Sequence, residues 1–167
     1  SVAAAHGYET ISGIARDRLR RVGESIDKFG DIDKGFRMLR VDTTNMADTL
    51  ATPDDLAQLA LSDAVSSVKP DRTDEDLLFQ VLLDWGLDLA EPISVDEVGG
   101  RSVLSVADGA LVACFTEEIP QEVVTEIASR HPLRAEFVDA GVASDAARIN
   151  AEQIFREVSP ETEVRAI

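Results

Sequence analysis

The sequence predicts an α/β (or α+β) fold: a mixed sheet in which an antiparallel meander is followed by helix, strand, helix, strand, the whole preceded by an amphipathic helix. Three observations predict it. The turn signals Gly99-Gly100 and Asp108-Gly109 separate three strand-length runs. After residue 120 the apolar period alternates between helical and strand-like spacing. Residues 9–29 and 73–85 carry apolar side chains at steps of three and four. Strands that alternate with helices imply at least some parallel pairing through crossovers.

Each element has its own reason. In the first helix, residues 9–29, Ile11, Ile14, Ala15, Leu19, Val22, Ile26 and Phe29 form one stripe, and Thr10 or Ser12 can cap its start. A polar turn at residues 30–34 leads into Gly35-Phe-Arg-Met-Leu-Arg-Val41, whose alternation predicts a strand ended by Asp42-Thr-Thr-Asn45. Residues 46–72 are polar, acidic and broken by Pro53 and Pro70, with short helical potential around residues 54–61. Thr73 then caps a helix with Leu77, Leu78, Val81, Leu82 and Trp85 on a wide apolar face, and Gly86 stops it. Strands follow at residues 93–98, 101–106 and 110–115. Next come a helix at 121–130, a strand at 134–139, a helix at 144–158 capped by Ser144, and a closing strand at 163–167. The domain reading is residues 1–46 as a helix and strand from the tail of a preceding domain, 47–72 as a connecting region, and 73–167 as a C-terminal α/β domain.

A chain of 167 residues with 44% hydrophobic content can build one main core and no second large one. Its longest apolar runs, such as residues 110–115, fall far short of the roughly 20 residues that span a bilayer. The single cysteine, Cys114, cannot form an internal disulfide, which suits the cytoplasm. The chain opens Ser-Val-Ala-Ala-Ala with no initiator Met, and so reads as a piece of a longer protein.

The net charge of −16 is unevenly spread: 8 basic and 6 acidic residues lie through Arg40, and 8 basic against 26 acidic follow. Most of the chain would therefore repel phosphate, which argues against its gripping DNA unaided. The local exception is Arg16, Arg18, Arg20 and Arg21.

Four segments, in order, cover nearly the whole chain: Ile11-Ser-Gly-Ile-Ala-Arg-Asp-Arg-Leu-Arg-Arg21; Gly35-Phe-Arg-Met-Leu-Arg-Val-Asp-Thr-Thr-Asn45; Asp71-Arg-Thr-Asp-Glu-Asp-Leu-Leu-Phe-Gln-Val-Leu-Leu-Asp-Trp-Gly-Leu87; and Phe137-Val-Asp-Ala-Gly-Val-Ala-Ser-Asp-Ala-Ala-Arg-Ile-Asn-Ala-Glu-Gln-Ile-Phe155. In that order and spacing the chain resembles the C-terminal region of the modification subunit of type III restriction-modification systems. The resemblance implies adenine-N6 methylation of a short asymmetric DNA site with S-adenosylmethionine as donor. It also implies a dimer of modification subunits that binds an ATP-dependent helicase-nuclease restriction subunit.

Methylases of that family need an Asp-Pro-Pro-Tyr type motif to hold the flipped base and a glycine-rich loop to approach the cofactor. Neither stands in this sequence, and in the family both lie upstream of the first matching segment. The resemblance therefore carries no catalytic, cofactor-binding or metal-binding residue onto this chain, which is expected to be inactive alone and to bind no cofactor. S-adenosylmethionine belongs to the intact family protein, and DNA would be met only through that protein. The implied partners are the upstream methyltransferase domain, a second modification subunit and the restriction subunit.

Among individual residues, Arg16, Arg20 and Arg21 could hold phosphate in the intact protein, Arg16 and Arg20 lying one turn apart. Their plainer reading is a solvated or interface-facing helix surface. Asp108, Asp139 and Asp145 fall at strand ends or loops, where carboxylates could gather around a divalent metal. They support the alternative of a self-contained acidic metal-dependent nuclease-like domain. Their plainer reading is turn formation at Asp108 and a first-turn helix position at Asp145. His6 and His131 have no visible nucleophile beside them. Trp85 lies in its helix's apolar stripe and is expected in the core.

Overall fold

Three strand runs and the alternation after them assemble into a five-stranded mixed sheet with sequential order β1-β2-β3-β4-β5. The computed structural model describes residues 7–26, 33–47, 68–142 and 144–167. The strands are β1 (Ile93–Val98), β2 (Arg101–Val106), β3 (Leu111–Cys114), β4 (Arg134–Phe137) and β5 (Glu163–Ala166). The helices are α1 (Ile11–Ser25), α2 (Asp74–Asp84), α3 (Gln121–Ser129) and α4 (Asp145–Val158), with a 3-10 turn at Asp139–Val142. β1, β2 and β3 form the expected antiparallel meander, and β4 and β5 add in parallel.

The chain divides into two units, Ser1–Asp42 and Thr43–Ile167. In the first, Thr10 caps α1 by accepting a hydrogen bond from Gly13 N at 3.1 Å. None of the α1 residues is buried: Ile11 is 85% exposed, Leu19 52% and Val22 49%. The strand expected at residues 35–41 is not formed. Residues 33–42 contain neither strand nor helix, and Phe36, Met38, Leu39 and Val41 are exposed. Alternation proposes a strand, but a ladder needs a neighbour to take up its N–H and C=O groups. Among the described residues none pairs with this segment. The helical potential around residues 54–61 lies outside the described residues.

The second unit begins where Thr43–Met46 is tied down. Met46 and Val68 form an antiparallel bridge, Lys69 N donates to Asn45 O at 2.9 Å, and Asn45 Nδ2 donates to Asp76 O at 2.9 Å. Lys69 Nζ reaches Thr44 O at 2.7 Å and Thr43 Oγ1 at 3.1 Å. A reciprocal capping box opens α2: Thr73 Oγ1 accepts from Asp76 N at 3.2 Å, and Asp76 Oδ2 accepts from Thr73 N at 2.9 Å. Gly86, at φ +67°, closes it in the left-handed conformation that favours glycine.

Period-two alternation in the strands decides which core each side chain joins. Val103, Val112, Cys114, Ala135 and Phe137 face α3 and α4, meeting Val123, Val124, Ile127, Ala128, Ala151 and Phe155. The rings of Phe137 and Phe155 meet edge to face at 6.1 Å. Leu104, Val106, Leu111, Ala113, Phe115 and Val138 face the other way, onto Leu77, Leu78, Val81 and Leu82 of α2. Among the described residues the sheet thus lies between two helices on one face and one on the other.

Candidate functional site

α2 covers β2 and β3, and its end at Trp85 adjoins the part of that face formed by β4 and β5. The in-register parallel pairing sets Arg134 beside Glu163 and Glu136 beside Arg165. These four side chains alternate with Ala135 and Val164, which join the opposite core, and so share the α2 face. Trp85 is half-buried, and two guanidinium groups lie over its ring, Arg134 at 3.9 Å from the centroid and Arg165 at 4.8 Å. Trp85 therefore packs against the core as its stripe predicted, while also serving as a platform for charge.

Glu136 is the unusual member of this group. It is 1% exposed, and its Oε2 has no hydrogen-bond partner among the described residues. Arg165 instead pairs within its own strand, its Nη2 lying 2.6 Å from Glu163 Oε1 and its Nε 2.9 Å from the same oxygen. Burial pushes the Glu136 carboxyl up from 4.5 to about 7. The Arg165 charge opposes that shift, and Asp84 and Glu163 add to it. A buried carboxyl in this setting holds its proton close to neutral pH. Sequence reasoning missed it, although one acidic residue between Ala135 and Phe137 in an apolar strand was a usable signal.

On α1, Arg16 and Arg20 are exposed, whereas Arg21 is engaged, its Nη2 lying 2.7 Å from Asp17 Oδ2 and 3.4 Å from the Tyr8 hydroxyl. Tyr8 donates a hydrogen bond to Asp17, and that bond, with the Arg21 charge, holds the Asp17 carboxyl below its ordinary value. Arg21 is thus the least available of the three for a phosphate.

Asp108 and Asp139 are not brought together. Asp108 sits in the β2–β3 turn at φ +54°, at the end of the sheet where β4 begins, since Arg134 N donates to Ala110 O. Asp139 follows the far end of β4, about 13 Å along the strand direction, and is paired with Arg148 at 2.7 Å. Asp145 opens α4, which Ser144 caps by accepting from Ala147 N at 3.1 Å. His131 is exposed at the end of α3, and His6 lies outside the described residues. Cys114 is buried, its Sγ 3.4 Å from Thr116 Oγ1. A shallow depression lined by Gln121, Glu122, Thr125, Glu126 and Ser129 follows one side of α3 and draws on no other element.

No helix among the described residues is long and apolar enough to cross a membrane. The chain matches no protein-family model and no curated protein.

Proposed function

We propose that this chain is the C-terminal assembly module of a site-specific adenine-N6 DNA methyltransferase of a type III restriction-modification system, working in the cytoplasm. In this reading S-adenosylmethionine and the methylation chemistry belong to the part of the protein upstream of the four matching segments. The module's partners are the upstream methyltransferase domain, a second modification subunit and the restriction subunit.

The observation that carries the reading is the order and spacing of those four segments along nearly the whole chain. Two physical features support it. The exposed Ile11, Leu19 and Val22 of α1 are the kind of surface that finds a partner, and the excess of acidic residues after Arg40 suits protein contact better than phosphate contact. The nuclease alternative draws no support from Asp108 and Asp139, which stand at opposite ends of the sheet.

The test is to mix the chain with a restriction subunit of such a system, and separately with a modification subunit cut short ahead of residue 11, and to follow mass by light scattering. A complex with either is the expected result. No complex with either at about 50 µM, a concentration that would populate even a weak specific interface, would overturn the reading.

A further inference from the structure

β5 is a terminal strand of the sheet, and among the described residues its strand neighbour is β4 alone. Glu163 N donates to Leu133 O at 3.0 Å and Ile167 N to Phe137 O at 2.9 Å, so the odd-numbered residues of β5 turn toward β4. Hydrogen bonding alternates along a strand, so Val164 directs its N–H and C=O outward. An outward row of this kind is a template for another strand.

We propose that this edge takes a second copy of the same chain, its β5 running antiparallel about a two-fold axis through Val164, so that two sheets join into one. The charge pattern names the occupant. Read antiparallel against itself, Glu163-Val-Arg165 sets Glu163 opposite the second copy's Arg165 and Arg165 opposite the second copy's Glu163. Read parallel and in register, it would set like charge on like, which is destabilising.

The register of β4 extends the pattern. One row across the joined sheet runs Glu136, Arg165, the second copy's Glu163, the second copy's Arg134, and the two-fold generates its mirror in sign order. On the opposite face the row is Ala135, Val164, Val164, Ala135, apolar and continuous with the core under α3 and α4.

The backbone agrees with this register. Val164 opposite Val164 is a hydrogen-bonded pair that exchanges two N–H···O=C bonds. Glu163 and Arg165 then fall at the flanking non-hydrogen-bonded positions, where Cα atoms approach to about 4.5 Å and side chains are closest. Arg165 trades its contact with Glu163 of its own strand for one across the axis. The pairing rests on the assembly reading and deepens it by naming the surface and the register at which the second subunit is met.

Sedimentation equilibrium of the full chain tests the pairing, using Glu163→Arg, Arg165→Glu and their equimolar mixture. Each variant alone sets like charges across the axis at both positions and should self-associate at least about tenfold more weakly than wild type. The mixture restores opposite charges at both and should associate as a heterodimer. Amide exchange of the wild type needs no substitution: the Val164 N–H should become protected as concentration rises.

A wild type monomeric at about 500 µM, beyond the reach of a millimolar-class contact, or a dimer indifferent to both substitutions, would overturn the pairing. Binding of the restriction subunit is measured alongside. A monomeric chain that still binds it sinks the β5 pairing and leaves the assembly reading standing. A chain that pairs through β5 and binds neither subunit upholds the pairing and removes its methyltransferase setting.

Discussion

Glu136 and Arg165 are register partners on adjacent parallel strands, yet Arg165 gives its guanidinium to Glu163 and leaves Glu136 Oε2 buried with no hydrogen-bond partner among the described residues. Desolvation therefore outweighs the nearby cation, and the Glu136 carboxyl rises from 4.5 to about 7.

The first prediction is a stability profile. Because the folded pKa lies above the unfolded one, the folded chain keeps a proton that the unfolded chain has released. The stabilisation is full below about pH 4.5 and is lost as pH rises through about 7. Glu136→Gln, neutral at every pH, should lack that decline, which for wild type amounts to about 3 kcal/mol by pH 8. Urea midpoints of both proteins at about pH 5 and pH 8 are the measurement, and parallel profiles would mean that Glu136 ionises normally.

Gly141 should not accept a side chain. A Cβ there would stand 2.7 Å from both Thr116 O and Ile119 Cδ1, and the carbonyl belongs to backbone that cannot swing aside. Ile119 N also donates to Gly141 O at 3.0 Å, tying the two loops together. Gly141→Ala should cost about 1–3 kcal/mol; a variant as stable as wild type in urea would show that these loops give way freely.

Thr73→Ala removes one arm of the α2 capping box and leaves Asp76 N without its side-chain acceptor. The expected loss is about 1 kcal/mol, read as a lower melting temperature with the circular dichroism of the folded state unchanged.

The acidic second unit should repel duplex DNA, and Arg21 is already committed to Asp17. Non-specific affinity at about 150 mM salt should be weaker than roughly 10⁻⁴ M. Fluorescence anisotropy with a short duplex, repeated after Arg16, Arg20 and Arg21 are changed to Ala, is the check. Tight binding that survives the triple change would place a DNA surface on the acidic unit and remove the electrostatic support for an assembly role.

From residue 73 onward the fold was legible because each local signal agreed with its tertiary use. Thr73 and Ser144 cap the helices they were expected to cap. Gly99 and Gly100, at φ +56° and +74°, make the hairpin. The alternation of Val103 to Val106 divides cleanly between two cores. Residues 35–41 misled because alternation records a side-chain pattern and says nothing of whether a neighbouring strand exists. The short 3-10 turn at Asp139–Val142 carries no periodicity to read. The charged face at Trp85, Arg134, Glu136 and Arg165 was hidden because its members are far apart in sequence and meet only through the β4–β5 register.

The sequential strand order also governs how the second unit comes into being. Among the described residues each strand of the sheet pairs with the strand before it, and none is inserted between earlier neighbours. The two antiparallel pairings close short turns, whereas the parallel β3–β4 and β4–β5 pairings must each close a crossover that carries a helix, a slower step. During synthesis the meander can form while β4 and β5 are still unmade, and the sheet then grows in one direction. The margin it reaches among the described residues is β5, so a partner that meets β5 there adds to the sheet without displacing a described strand pairing.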